Sequence, residues 1–232
     1  MKLRELRYLN LLVVIVIMMI LSPFVSRAPY LRMLNNIVLI LVLLSVVYTV
    51  KKQKAAFIVG LLLGIPWVLA AWTHLIRPGT ITPAIHALTS VVFDGYIIFV
   101  LFRHIIKAKK VTGDIIYGAV SVYFLLGIFY TSLYMFFDAV TQAPLFAYAG
   151  TDTAVVSVET SKIFYFSFVT LTTLGYGDIR PISDVTRTFA VLEAMTGVLY
   201  SAALIGRLIG LYVAQSSRSE AAKNIKDPGT NQ

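Results

Sequence analysis

One polar strip stands out in an otherwise apolar chain: Thr172-Thr173-Leu174-Gly175-Tyr176-Gly177-Asp178. Gly175 and Gly177 alternate with residues that carry side chains, and glycine adopts a positive φ at no steric cost. Alternating backbone handedness can turn successive carbonyl oxygens toward one side, which an ordinary strand cannot do. A row of such oxygens, with the Thr173 hydroxyl, can replace the water shell of a monovalent cation. The strip therefore predicts a site that coordinates a cation through oxygen atoms.

The rest of the composition restricts the class of protein. Hydrophobic residues make up 58% of the 232 residues and charged residues 13%, whereas soluble domains have about 25% charged residues. This excludes a disordered chain and disfavours a soluble enzyme. No cysteine is present, which excludes disulfides, thiolate metal sites and a cysteine nucleophile. No cluster of nucleophile, base and orienting partner is evident, so we expect no enzyme.

Six apolar runs are long enough to cross a membrane, which takes about 20 mostly apolar residues. They are Tyr8–Val25, Met33–Val50, Ala55–Ile76, Ala84–Phe102, Asp114–Phe137 and Val185–Val213. A shorter run, Ile163–Leu174, leads into the polar strip, and its length favours a re-entrant helix. Non-helical backbone within a membrane is tolerated only where protein buries it or where it lines a watery path. The elements around the strip therefore indicate a membrane protein with an aqueous path.

The distribution of basic residues predicts the orientation. With the N-terminus inside, most of the 20 Lys and Arg residues fall on inner segments, as the positive-inside bias requires. We expect both termini in the cytoplasm and a multi-pass protein of the plasma membrane, which is the inner membrane in a bacterium. The net charge is +9, and we expect the basic residues of the loops to contact anionic lipid head groups. We expect no nucleic acid and no soluble partner.

The strip and its context closely resemble the selectivity filter of potassium channels. The Thr-Leu-Gly-Tyr-Gly core is followed by Asp178, and a span, an outer loop, a short pore helix, the filter and an inner helix follow in the same order over about Val111–Val213. The resemblance implies that K⁺ is the permeant ion. It also implies four ligand residues, which bind K⁺ through their backbone carbonyls and, at the first of them, also through the hydroxyl: Thr173, Leu174, Gly175 and Tyr176. The residues that it implies as filter support are Thr172, Gly177 and Asp178.

Two details of the filter region differ from or add to the usual pattern of the family. Leu174 takes the place of the usual valine or isoleucine, which changes the packing behind the carbonyl. The Tyr176 ring should point away from the carbonyl row and brace the filter laterally. Tyr165 and Phe166, in the pore-helix stretch, are candidates for an aromatic cuff around that ring.

A single strip supplies one quarter of a filter, since known potassium filters join four such loops. The resemblance therefore implies a homotetramer. The expected fold is an all-α membrane protein with six transmembrane helices, a re-entrant pore helix and a selectivity filter. Residues 1–105 form a four-helix bundle at the position of a voltage sensor, and residues 111–214 form the pore domain. Residues 215–232 form a short polar cytoplasmic tail, which we expect to be mobile.

The fourth span, Ala84–Phe102, contains no Lys or Arg. Working voltage sensors carry several such charges there, so the bundle is a degenerate sensor and we expect only weak voltage dependence. The span carries Asp94 instead, which is eight residues from His86 and close to the same helical face. A proton sensor is one interpretation. The other pairs Asp94 with a hydroxyl or a cation within the bundle and places His86 at the membrane interface.

Two residues of the last span are further gating candidates. Gly197 resembles the hinge glycine of potassium-channel inner helices, and its alternative is a close contact between helices. Glu193 is a carboxylate inside the span and must face protein or water. It is either a filter-stabilising or pH-sensitive group, or a structural partner for a pore-helix hydroxyl. Ser201, Ile205 and Ile209 follow at helical spacing, on a face that lines the inner pore or packs in the bundle.

These observations favour a potassium-selective channel that conducts passively. Two alternatives remain open. The first is a non-selective cation channel in which Leu174 loosens the filter. The second is an accessory subunit that conducts only beside another chain.

Overall fold

The structure is a computed structural model, and it describes residues 7–21, 33–34, 36–38, 40–42, 44–45, 54–77, 79–108, 110–141, 143–149, 154–155 and 159–226. Its continuous elements are, in chain order, α1 (Arg7–Leu21), α2 (Lys54–Ile76), α3 (Thr82–Lys107), α4 (Gly113–Thr141), β1 (Phe146–Tyr148), β2 (Ala154–Val155), α5 (Thr160–Leu171), β3 (Ile179–Pro181) and α6 (Asp184–Lys226). The described residues between 33 and 45 are helical as well. The protein is thus mostly helical.

Four of the helices are long and apolar enough to cross a membrane: Ala55–Ile76, Thr82–Lys107, Gly113–Thr141 and Asp184–Ala214. Helix α1 contains a shorter apolar stretch, Tyr8–Leu21. The predicted run Met33–Val50 lies partly outside the described residues. The structure therefore agrees with the predicted elements in order and type, while the count of six spans stays a prediction.

The outer helices pack against the first helix of the predicted pore domain. Helix α4 contacts both α1 and α3, and α3 contacts α2. At the start of α4, the Asp114 carboxylate accepts a hydrogen bond from the Tyr8 backbone N–H at 3.0 Å. The shared core is made of buried apolar side chains, among them Leu11, Ile15, Phe93, Ile97, Ala119 and Val122. The apolar stripes of α1 and α3 are thus buried against α4 of the same chain.

The polar tail from residue 215 is helical over most of its length, and its mobility stays a prediction. Helix α6 continues without a break to Lys226. Residues 215–226 contain neither glycine nor proline, and Ala, Glu, Lys, Arg and Gln, which are good helix formers, make up most of them. Polarity alone therefore does not end the helix here.

A small sheet forms where the sequence predicted only an outer loop. Its strands are antiparallel and run in the order β2-β1-β3. Strand β3 begins at Ile179, directly after the polar strip, and pairs with β1 so that Ile179 is opposite Tyr148. The Ala149 N–H also donates to the Asp178 carbonyl at 2.9 Å. The outer end of the strip is therefore anchored to a backbone ladder.

Candidate ion-conducting site

The polar strip begins where helix α5 ends and leaves the helix through a tight turn. The Val169 carbonyl accepts hydrogen bonds from the N–H groups of Leu174 at 2.9 Å and Gly175 at 3.3 Å. Positive φ values occur at alternate residues: 59° at Thr173, 58° at Gly175 and 76° at Gly177. The alternation expected for the two glycines is present, and it extends to Thr173.

Thr173 is notable because a β-branched residue rarely adopts a positive φ. Such conformations cost about 1–3 kcal/mol and persist at functional sites where the surrounding structure enforces them. Residues 172–178 are all exposed on the single chain. The strip is therefore a non-helical backbone segment that the surrounding structure keeps in this conformation. Its polar groups are accessible to an ion.

The Tyr176 ring is braced from the side. It stacks on the Tyr165 ring with centroids 6.5 Å apart and planes within 6°, as expected for one member of the cuff. Asp178 hydrogen-bonds the side chain of Tyr165. Phe166 does not join them, because it is buried and packs edge-on against Tyr134 and Phe146 at 5.5 Å and 5.0 Å. The pore helix thus turns one aromatic ring toward the strip and another into the core.

Two glycines allow the pore helix to approach its neighbours closely. A Cβ on Gly127 of α4 would lie 2.7 Å from the Phe168 ring, and a Cβ on Gly197 of α6 would collide with the Leu171 carbonyl oxygen. The structure therefore has the close helix contact that was the alternative interpretation of Gly197. A hinge at this residue stays a prediction.

Glu193 is fully buried behind the pore helix. Its carboxyl group is 2.5 Å from the Ser167 hydroxyl of α5 and accepts a hydrogen bond from the Tyr134 hydroxyl of α4 at 2.8 Å. The predicted bond to a pore-helix hydroxyl is thus confirmed. This group connects three helices immediately behind the strip.

Ser167, Tyr134 and Gly127 were not among the residues singled out from the sequence. Ser167 also reaches the Gly127 carbonyl at 2.7 Å, so the three residues form one buried group with Glu193. The signal that could have found them is the presence of small or polar residues within the apolar stretches of α4 and α5. Such residues in membrane helices commonly mark contacts between helices.

Asp94 lies far from the strip, between the outer bundle and α4. It is 4% exposed and accepts a hydrogen bond from the Ser132 hydroxyl at 3.0 Å. Asp94 therefore pairs with a hydroxyl, as expected, but this hydroxyl belongs to α4 of the predicted pore domain and not to the outer bundle. His86, on the same helix, stacks on His74 with ring centroids 6.0 Å apart. Gating by any of these residues stays a prediction.

The inner part of α6 has two notable features. Ser201 donates to the Gly197 carbonyl at 2.9 Å, while Ile205 and Ile209 are exposed. The Arg207 guanidinium donates to the Ile106 carbonyl and, at 2.9 Å, to the Ala108 carbonyl. The last helix is thus tied to the end of α3. Over the residues that the structure describes, no group of three His, Asp or Glu side chains is placed to hold a metal ion.

A comparison with known protein families gives a match for residues 115–214. Residues 115–214 match a family model described as "Ion channel". These residues run from α4 to α6 and include the polar strip, α5 and the group around Glu193.

Several curated relatives are potassium channels. The chain is 41% identical over 46 residues to "Two-pore potassium channel 4" of Arabidopsis thaliana, a match that covers 20% of this chain and 16% of the relative. It is 33% identical over 70 residues to "Voltage-gated potassium channel Kch" of Escherichia coli (strain K12), which covers 30% and 16%. It is 34% identical over 67 residues to the human "Voltage-gated delayed rectifier potassium channel KCNH5", which covers 27% and 7%.

The chain thus matches at most 16% of the length of these relatives. No solved structure gives a significant match. The matched family is an ion channel family and not an enzyme family, and the apolar helices are long enough to cross a membrane. Residues 115–214 of this protein therefore form an ion channel domain that is similar to parts of known potassium channels.

Proposed function

We propose that the protein is a potassium-selective channel that conducts K⁺ passively down its electrochemical gradient. The observation that carries the proposal is the alternation of positive φ at Thr173, Gly175 and Gly177 in a strip that directly follows the short helix α5. Such a backbone can present consecutive carbonyl oxygens to one side. Rings of carbonyls replace the hydration shell of K⁺ in channels of this kind.

The proposed K⁺ ligands are the backbone carbonyls of Thr173, Leu174, Gly175 and Tyr176, with the Thr173 hydroxyl as an additional ligand. The flanking residues support them. Thr172 ends the pore helix and its hydroxyl donates to the Phe168 carbonyl at 2.7 Å. Gly177 completes the outer mouth, and Asp178 holds the strip through Tyr165 and the Ala149 N–H.

The proposed assembly is a homotetramer around the strip. A Cβ added at Gly175 or Gly177 would meet nothing within 4 Å, so one side of the strip is open within the chain. Helix α6 supports the same arrangement because much less of it is buried within the chain. In its most apolar stretch 11% of the residues are buried, whereas the value for α4 is 44%. Its exposed apolar residues, such as Val191, Leu192, Met195 and Val198, are available for neighbouring copies around a central axis.

The remaining parts of the proposal concern membrane topology. Six transmembrane helices divide into the sensor-like bundle of residues 1–105 and the pore domain of residues 111–214, followed by the tail of residues 215–232. Both termini lie in the cytoplasm, and the protein resides in the plasma membrane. The basic residues at the inner ends of the spans and the close packing of α1 and α3 on α4 support this arrangement.

The test is ion flux through the purified protein in liposomes. We expect uptake of Rb⁺ driven by a K⁺ gradient, inhibition by Ba²⁺, and little uptake of Na⁺ under the same gradient. Equal uptake of Rb⁺ and Na⁺ would favour the non-selective alternative. Absence of all flux from correctly folded tetramers would favour the accessory subunit.

A pair of glycine variants tests the strip itself. Gly175→Ala places a side chain at a residue with φ of 58°, where glycine is favoured, so selectivity should fall. Gly79→Ala makes the same change before α3, where the nearest atoms to a Cβ would be those of Thr82 at 4.0 Å, and should leave flux and selectivity unchanged. Full selectivity in Gly175→Ala would contradict the proposed role of the strip.

A further inference from the structure

A cavity of about 130 Å³ lies between the outer bundle and the pore domain. We call it the lateral cavity. Side chains from both parts of the chain line it: Trp67 from α2, His86 and Asp94 from α3, Ser132 from α4, and Thr160 and Phe164 from α5. It is separate from the polar strip, and it adjoins the first turn of the pore helix.

One wall of the lateral cavity is a polar stripe along α3. Thr82, His86, Ser90 and Asp94 recur every four residues and therefore share one helical face. Ser90 is already satisfied, because its hydroxyl accepts from the Trp67 indole N–H at 2.8 Å and donates to the His86 carbonyl at 2.8 Å. The stripe leads from the end of α3 near Thr82 to the buried carboxyl group of Asp94.

Two polar groups on this stripe retain unused hydrogen-bonding capacity. The Nε2 atom of His86 is buried and has no hydrogen-bond partner among the residues that the structure describes. Asp94 receives a hydrogen bond from Ser132, although a carboxylate can accept about four. The cavity thus has acceptor capacity at one end that the protein itself does not fill.

The negative charge of an ionised Asp94 is not balanced by the described lining. Asp94 is 4% exposed, and the cavity-lining side chains among the residues that the structure describes include neither Lys nor Arg. A carboxylate buried in this way requires a cation, a proton or several hydrogen bonds. A ligand that brings both a positive charge and N–H donors would satisfy the Asp94 carboxylate.

The other walls specify the rest of the ligand. They are largely hydrocarbon and aromatic, with Leu125, Ile128 and Met135 beside Trp67 and Phe164. Apolar walls favour a hydrocarbon body, and aromatic rings favour an adjacent cation. They provide few of the oxygen atoms that a dehydrated alkali ion requires.

We propose that the lateral cavity binds a small primary alkylammonium ion. Its ammonium group donates to the Asp94 carboxylate, and its alkyl chain lies against the apolar wall. Because Thr160 and Phe164 of the pore helix form part of the same wall, occupancy should also change ion flux. The binding itself does not depend on the proposed K⁺ selectivity and can be measured without flux.

The test uses the fluorescence of Trp67 in the purified full chain. The sequence contains two tryptophans, so Trp72→Phe makes Trp67 the single reporter. We expect a saturable fluorescence change with n-butylammonium chloride. The neutral analogue n-butanol should bind roughly tenfold or more weakly because it brings no charge for the buried carboxylate. KCl and NaCl at equal ionic strength should give no saturable change.

Variants assign the site. Asp94→Asn should weaken n-butylammonium binding by roughly tenfold or more, while Asp184→Asn, at an exposed carboxylate on α6, should leave it unchanged. Ala87→Leu fills the cavity at a buried lining residue and should abolish binding even where Asp94→Asn fails to fold. Equal affinity for n-butanol, equal changes with KCl, or retained binding in folded Ala87→Leu protein would each overturn the proposal.

Discussion

Gly197 on the last helix lies directly against the backbone carbonyl of Leu171, the last residue of the pore helix. The Tyr123 hydroxyl donates to the same carbonyl at 3.3 Å. The polar strip begins one residue later, so the position of this carbonyl determines where the strip leaves the helix. A glycine is required at this contact because any side chain would collide with the Leu171 carbonyl oxygen. This requirement does not depend on a hinge in α6.

Gly197→Ala should therefore disrupt the pore more than the addition of a single methyl group suggests. Its Cβ would collide with backbone, which cannot rotate away as a side chain can, and overpacking of this kind typically costs about 1–3 kcal/mol. We expect a lower thermal unfolding temperature and a loss of Rb⁺ flux. Gly210→Ala, at a site on the same helix where a Cβ would meet nothing within 4 Å, is the control. Wild-type stability of Gly197→Ala would show that the pore helix is not seated as described.

The number of hydrogen atoms available for the contacts between Ser167 and Glu193 leads to a second prediction. The Ser167 hydroxyl has one hydrogen but lies within hydrogen-bond distance of both the Gly127 carbonyl and the Glu193 carboxyl group. Both contacts are satisfied together when Glu193 is protonated and donates to Ser167. A glutamine has the same shape and can also donate there while accepting from Tyr134.

Glu193→Gln should then retain the fold and the flux, whereas Glu193→Ala should lose both. The alanine leaves the Tyr134 hydroxyl buried without its partner, which costs about 1–3 kcal/mol, and it opens a cavity beside α5. Thermal unfolding and Rb⁺ flux of the two variants measure this difference. Glu193→Gln that is as unstable as Glu193→Ala would show that the ionised carboxylate is the form that stabilises the structure.

The contact of Arg207 with the end of α3 predicts mechanical coupling between the outer bundle and the last helix. Arg207→Met removes the donors to the Ile106 and Ala108 carbonyls. Arg207→Lys should restore little of this double contact, because an ammonium group lacks the planar fork with which a guanidinium donates to two carbonyls. We expect a wider distribution of distances between α3 and α6 in both variants.

Spin labels on engineered cysteines measure that distribution, and the absence of native cysteine removes any background label. The labels can be placed at Arg103 on α3 and Tyr212 on α6. Arg187→Met removes an exposed arginine that pairs with Asp184 at 3.7 Å and serves as the control. An unchanged distribution in Arg207→Met would exclude the proposed coupling.

Voltage dependence should be weak. Helix α3 has no Lys or Arg between Thr82 and Phe102, and Arg103 and Lys107 lie at its C-terminal end. Each charge moved across the membrane contributes about 2.3 kcal/mol per 100 mV, and this helix offers none in its centre. Planar-bilayer recordings of the purified protein should give a nearly flat conductance–voltage curve. A steep curve would require gating charge from other parts of the chain.

The sequence predicted the elements of this protein well. Runs of apolar residues define helices through their length, and α2, α3, α4 and α6 begin and end within a few residues of the predicted runs, except for the extension of α6 to Lys226. The strip was also predictable, because the alternation of Gly175 and Gly177 is a local backbone property. The positive φ of Thr173 was not, since nothing in its side chain favours that conformation.

What the sequence determined by itself was thus the four long apolar helices, the short helix α5 and the strip whose carbonyls we assign to K⁺. The tertiary structure alone decided which residues hold them. Glu193 meets Tyr134 across 59 residues of chain, and Asp94 meets Ser132 across 38. Periodicity and propensity report the conformation of each segment, whereas these contacts depend on which faces of different helices pack together. Only the packed fold assigns a partner to a buried carboxyl group or shows why a particular glycine leaves room for the pore helix.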